Sequence, residues 1–385
     1  MTRELMVPRT AAKVTFGLIC LAILASHTIS MSRWSEARGV YDDVCYLRQA
    51  HLFQLFGLRG LNTDVSMDSD RYFVGKLKEI ALSEPENPQR WPCHVHKLGG
   101  KLVLQYPPGT GFLLALFPSG FQVAPLYISA SIIVCGFALL GIFIARSVPS
   151  VIGAGLFGAL AIYSMINPAK ASYSVAPTVA LCSIVGFLTA LWLTRAKRSL
   201  WPIALIGLLI GASVNFRLPN ILLASGYCLF LAVGFMRSRT LTILLDALAF
   251  GAGVAIGMAP TLIAQAINAG SPFATTYGAS DAVGPAFNVS VLGEYMRDTQ
   301  SILMTLSIGW TLWVLRAGTR AARQIALIVS GNLLINLGFF LSHPIFTPYY
   351  VVPIAMLSTW TLSFAWLMQP HEETEPAALQ SEALV

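Results

Sequence analysis

Charge is what this sequence has least of. Only 11% of its 385 residues are Asp, Glu, Lys or Arg, against 55% apolar, far from the ordinary globular mix. That excludes a soluble globular enzyme and leaves a polytopic membrane protein, in keeping with a mean hydropathy of +0.67. Acid is scarcer still: nine of the eighteen carboxylates fall between Glu36 and Glu86, and Asp246 is the main one within the apolar runs. Chemistry that needs carboxylates is thereby confined to one loop. Also missing are internal repeats of solenoid or inverted-transporter type and a pair of matching broken helices, which weighs against a transporter. No basic arm with interleaved aromatics occurs, so the net charge of +7 does not mark a nucleic-acid surface.

What is there is a series of apolar runs. Thr15 to Ile29 is uncharged, flanked by Lys13 and Arg33, and lacks a small-residue cleavage site; it reads as a retained first helix rather than a removed signal. Further runs stand near 122–145, 150–167, 173–194, 201–215, 218–236, 241–267, 299–315, 324–341 and 349–367. Most approach the length that crosses ~30 Å of hydrocarbon. The pattern predicts an all-α polytopic protein of about ten transmembrane helices. Arg217 and Pro219 separate two of the runs and predict a tight outer turn there.

Orientation follows from Lys and Arg in the short connections. With the N-terminus inside, the inner side holds twelve (Arg3, Arg9, Lys13, Arg146, Arg195, Lys197, Arg198, Arg237, Arg239, Arg316, Arg320, Arg323) and the outer side three, Lys170, Arg217 and Arg297. Both termini are expected in the cytoplasm. The loop at about 32–105 is then extracytoplasmic, inside a single membrane domain at 1–368 with a disordered cytoplasmic tail at 369–385. Residues 106–118, YPPGTGFLLALFP, are apolar but too short to span. They read as a re-entrant or interfacial helix, because a full crossing there would put most of the basic residues outside.

Within the loop, Asp42 to Phe56 has helical composition and suits a helix lying in the membrane interface. Asp42 and Asp43 would open it, and two readings stand side by side: acids favoured by the helix dipole, or a pair that takes a proton. An ion pair to Arg48 is a further bland account. Cys45 and Cys93 share this loop, where an oxidising compartment allows a disulfide that spacing alone cannot assign. The other four cysteines lie in apolar runs. Cys93-His94-Val95-His96 invites a metal, but no second cluster at zinc-like spacing exists. The expectation is solvated loop histidines with no cofactor.

The order of motifs resembles the GT-C superfamily, integral-membrane glycosyltransferases that use polyprenyl-phosphate sugars, such as protein O-mannosyltransferases and lipid A aminoarabinose transferases. Asp42-Asp43-Val44-Cys45-Tyr46 is similar to the acidic pair and tyrosine that open the family's first outer loop. Tyr106-Pro107-Pro108-Gly109 looks like its Pro-Pro motif, and Asn215-Phe216-Arg217 its outer arginine turn. Gly270-Ser271-Pro272-Phe273 through Tyr277-Gly278 resembles a Gly-Ser-Pro and Tyr-Gly loop, and Tyr349-Tyr350-Val351-Val352-Pro353 the last outer motif. Pro348 stands where that motif often has arginine, and the chain lacks the large C-terminal outer domain of many relatives.

The resemblance implies transfer, inverting by direct displacement, of a sugar from a polyprenyl-phosphate donor to a lipid, glycan or protein acceptor at the periplasmic face of an inner membrane. Asp42 would be the general base and Asp43 its electrostatic partner. Arg217 would hold the leaving phosphate, with Lys101 and His343 as further candidates. Tyr46, Tyr106, Pro107, Pro108, Tyr277 and Tyr349 would line the sugar pocket. Two other readings remain: a carrier or flippase of lipid-linked glycans, or an inactive relative acting as an assembly partner.

Overall fold

The computed structural model describes residues 9–36, 43–97, 99–164, 172–195, 199–277, 284–343, 345–347 and 349–369. Asp42, Gly278, Pro348 and the tail from Pro370 lie outside them. Among the described residues the chain is helical apart from one two-stranded hairpin, β1 (His94–His96) against β2 (Leu102–Leu104).

Among the described residues six helices are long and apolar enough to cross a membrane: α1 (Arg9–Ser32), α5 (Val123–Ile144), α7 (Val175–Thr194), the Leu218–Ser238 stretch that ends in α9 (Ser225–Ser238), α10 (Leu241–Ala269) and α13 (Arg320–Leu341). Shorter apolar helices are α6 (Val148–Ser164), α8 (Leu200–Val214) and α14 (Val352–Leu367). This is a helical membrane protein. α7 and α14 are buried on nearly every side and form the centre of the bundle, whereas α1 exposes most of its apolar surface. Small residues set the closest approach: a Cβ on Gly257 of α10 would lie 2.6 Å from the Ala212 nitrogen of α8. Any larger side chain there would part the two helices.

The segment expected to be extracytoplasmic folds over one end of this bundle. Helices α2 (Asp43–Phe56) and α3 (Tyr72–Glu79) pack with the hairpin around Val44, Phe73, Leu77 and Trp91. α2 is not the half-solvated interfacial helix expected from its composition, because ten of its fourteen residues are buried. Arg48 explains the difference. Its guanidinium donates to the Thr63 and Asp64 carbonyls at 2.9 and 3.0 Å, approaches Asp68 at 4.0 Å and lies over Phe73 and Trp91. A polar face that finds internal partners need not meet water. Burial pulls this arginine down to about 10, against the opposing charges of Asp68 and Asp64.

Cys45 and Cys93 form a disulfide that ties α2 to the start of β1. Cys93 therefore has no free thiolate to offer a metal at Cys93-His94-Val95-His96. Nor is His94 a solvated loop histidine: it packs on Phe73 and Trp91, and burial, with Arg48 nearby, takes it down to about 3. No group of three or more metal-binding side chains gathers among the described residues.

Residues 106–118 contain α4 (Gly109–Ala115), seven residues and so about 10 Å of helix, far short of a crossing. Gly109 packs directly against the turn after α8. Its N–H donates to the Asn215 carbonyl at 2.6 Å, and a Cβ would lie 2.7 Å from Asn215 Cβ. The Pro-Pro-Gly run thus ends in the one residue type that fits.

Candidate functional site

The turn after α8 carries the site's cation. Asn215 fixes it by bridging α10: its Nδ2 donates to the Gly257 carbonyl at 2.7 Å, while its Oδ1 accepts from the Thr261 N–H at 2.9 Å and hydroxyl at 2.7 Å. Gly257 and Thr261 are four residues apart, the pair that a helix joins directly, and Pro260 between them weakens the local ladder. Asn215 is therefore locked to α10, and Arg217 two residues later is extended and leads into a 3₁₀ turn at Leu218–Ala224.

Arg217 is 7% exposed, and its guanidinium lies 5.0 Å from the ring centres of both Tyr349 and Tyr350. Among the described residues its side chain makes no hydrogen bond and no ion pair with a carboxylate. Two ring contacts of about 1–2 kcal/mol each fall short of the several kcal/mol that burying a charge costs. Its unused donors border a cavity of about 480 Å³.

That cavity brings together six of the residues singled out from sequence: Tyr46, Tyr106, Arg217, Tyr277, His343 and Tyr349. They come from α2, the segment before α4, the turn after α8, the 270–277 loop, the end of α13 and the approach to α14. Tyr46 stacks on Tyr106 with ring centres 5.0 Å apart, and Tyr106 meets Tyr277 edge-on at 6.1 Å. This aromatic wall and Arg217 line the same cavity.

Asp43 stands one helical turn before Tyr46 on α2. It is 0% exposed, and its Oδ1 accepts the Tyr173 N–H at 2.8 Å, so it reaches across to another segment rather than serving its own helix alone. Burial first, and then the Asp43 charge, pushes the Tyr173 phenol well above its usual range. Ser172 and Ser174, on either side of Tyr173, line the cavity. Asp43 thus sits one residue behind the cavity wall. Arg48 makes its contacts with Thr63, Asp64 and Asp68 rather than with Asp43.

Besides Asp43, three described sequence candidates do not line the cavity. Lys101 donates to the Ile267 carbonyl at 3.1 Å near the surface. Pro107 and Pro108 border a separate, very small void with Gln49, Gln265 and Asn268; their role is to launch α4. Sequence reasoning missed Gln105, Ser172, Ser174, Thr275 and Tyr350. Gln105 and Tyr350 each adjoin a tyrosine already singled out, which was the available signal; the serines and Thr275 carried none.

A larger cavity, about 660 Å³, opens between α12 (Gln300–Ala317) and α13. Leu312, Leu333, Leu334 and Leu337 make it apolar, and it reaches Ser342, the neighbour of His343. No protein-family model matches the chain, and no curated protein matches it either.

Proposed function

We propose that the chain is a membrane glycosyltransferase that transfers a sugar from a polyprenyl-phosphate donor to a hydroxyl acceptor, in the manner of the GT-C superfamily. The observation that carries this reading is Arg217: a buried guanidinium, clamped between two tyrosines and open to an aromatic-walled cavity with no acceptor of its own among the described residues. Such a group suits a phosphate oxygen, with charge-assisted bonds stronger than neutral ones. It also supplies the cation that Pro348 withholds from the last outer motif.

In the reaction the acceptor oxygen attacks the anomeric carbon while the bond from that carbon to the phosphate oxygen breaks, its electron pair leaving with the phosphate. Arg217 holds the charge that develops there, and His343 borders the same space. The acceptor's proton goes to Asp42. Asp43 is enclosed and already bonded to Tyr173, so it orients and polarises its neighbour rather than meeting the acceptor. The tyrosines stack on the sugar, and the apolar groove beside α13 takes the polyprenyl chain.

The six long apolar helices, the three shorter ones and α12 make the ten crossings of the proposed topology. Both termini are then cytoplasmic and the cavity faces the periplasm. The Cys45–Cys93 disulfide supports that side, since such bonds persist in oxidising compartments. A reporter fused after Gly57 should be periplasmic and one after Arg198 cytoplasmic; an Arg198 fusion in the periplasm would invert the topology.

The test of function is mass spectrometry of lipid and envelope-glycan fractions from cells with and without the gene. Loss should cause one polyprenyl-phosphate sugar to accumulate and the same sugar to vanish from an envelope component. Accumulation of a lipid-linked glycan on the cytoplasmic face alone would instead favour a flippase.

A further inference from the structure

Resting on the glycosyltransferase reading, we infer that Cys45 and Cys93 are positioning residues for the donor's sugar: their disulfide sets the tyrosine wall on which that sugar lies. Tyr46, Tyr106 and Tyr277 come from three segments far apart in sequence, yet the residue before each of them belongs to one continuous tie. Cys45 is bonded to Cys93. The Cys93 carbonyl accepts the Gln105 N–H at 2.9 Å, and the Gln105 carbonyl accepts the Thr276 hydroxyl at 2.7 Å. A shift at any link is passed to the ring one residue further on.

The hairpin is the frame of this tie. Cys93 and Gln105 stand immediately outside its paired ends, where His94 lies opposite Leu104. Beyond the other end of β1, Lys97 donates to the Tyr277 carbonyl at 3.0 Å. The disulfide links this frame covalently to α2, whose Tyr46 stacks on Tyr106. Cys93 has a φ of 58°, in the left-handed region that residues other than Gly, Asn and Asp rarely adopt. Such a conformation persists where its surroundings over-determine it. With the bond cut, the Cys93 backbone is free to return to the extended region, which turns its carbonyl away from Gln105 and loosens Tyr106 against Tyr46.

The packing of this segment does not depend on the bond alone. The cluster of Val44, Phe73, Leu77 and Trp91 and the hydrogen bonds of Arg48 hold α2 without it. The Leu104 N–H donates to the Thr63 hydroxyl at 3.1 Å and holds the hairpin from its other side. What the disulfide adds beside the cavity is register between two stacked rings. A sugar face needs that register, since misplacing a reacting group by about 1 Å is enough to cost roughly 100-fold in rate.

The experiment is a double-mutant cycle on the full chain in nanodiscs. The probes are a short-chain polyprenyl phosphate and its hexosyl ester, with binding per folded protein read by native mass spectrometry. The unmodified chain should bind the hexosyl lipid about 10-fold tighter than the bare one, the scale of a good aromatic contact. Tyr106→Ala and the pair Cys45→Ser with Cys93→Ser should each erase most of that preference and leave bare-lipid affinity unchanged. Combining them should cost little more than either alone, because both act through the same rings. A disulfide that only stabilises would lower the melting temperature and leave the preference of the folded chain intact; that result overturns the inference while the donor reading stands. A combined loss equal to the product of the separate ones overturns it likewise. If the serine pair does not fold, the same comparison is made on the chain before and after reduction of the bond with a water-soluble phosphine, with the same two outcomes. No preference for the hexosyl lipid in the unmodified chain sinks the inference, and no binding of either lipid takes the donor reading with it.

Discussion

Arg48 and Arg217 are both buried, both extended over two aromatic rings, and entirely different in what else they touch. Arg48, in the outer segment, gives hydrogen bonds to two carbonyls and has Asp68 beside it. Arg217, at the mouth of the bundle, has rings on its flanks and no acceptor among the described residues. A buried cation with its partners supplied serves the fold; one held in place but left without them is the contact we propose for a ligand. The two regions differ in the same way. The outer segment is rich in acid and closes its charges on itself, while the bundle's outer mouth keeps one cation open.

The largest effect should come from the open arginine. Arg217→Ala should lower turnover by roughly 10²–10³-fold, as when a group that stabilises developing charge is removed, with melting temperature nearly unchanged. Arg217→Lys should recover part of it, because lysine keeps the charge without the fork. Turnover at the normal rate in Arg217→Ala would erase the distinction between the two arginines.

The acid side comes next. Asp42→Asn should reduce turnover by about 100-fold or more with donor binding intact, the usual scale for losing a general base. Asp43→Asn should cost less turnover but some stability, because Asp43 accepts the Tyr173 N–H. A folded Asp42→Asn that turns over normally would reduce the pair to the start of a helix.

Arg48→Met reverses the pattern. It should destabilise the outer segment by about 3 kcal/mol, the scale for breaking a buried charge pair, while the folded fraction turns over nearly as before. Thermal melts in detergent, with activity normalised to folded protein, separate the two. The smallest effect belongs to the tail: removing 370–385, a polar stretch with little to pack, should leave activity near normal.

Much of this was legible from sequence because hydropathy speaks loudly in a membrane protein. The apolar runs, the turn at Arg217 and six of the cavity's residues could be read from period, length and motif order. α2 was harder. Its alternation of polar and apolar residues is the same whether the polar face meets water or meets internal partners, and only the contacts of Arg48 with Thr63, Asp64 and Asp68 reveal the second case. Lys101 failed for a related reason: a loop lysine has reach in every direction, and nothing local says that it will settle on the Ile267 carbonyl.

The most direct test is transfer itself. Purified protein in nanodiscs would be given a synthetic polyprenyl-phosphate hexose and an envelope lipid extract as acceptor, and the release of free polyprenyl phosphate followed by mass spectrometry. The account predicts release coupled to appearance of the hexose on an acceptor, abolished to near background in Arg217→Ala and Asp42→Asn. A folded protein that binds the donor yet leaves its sugar in place with every acceptor fraction would contradict it.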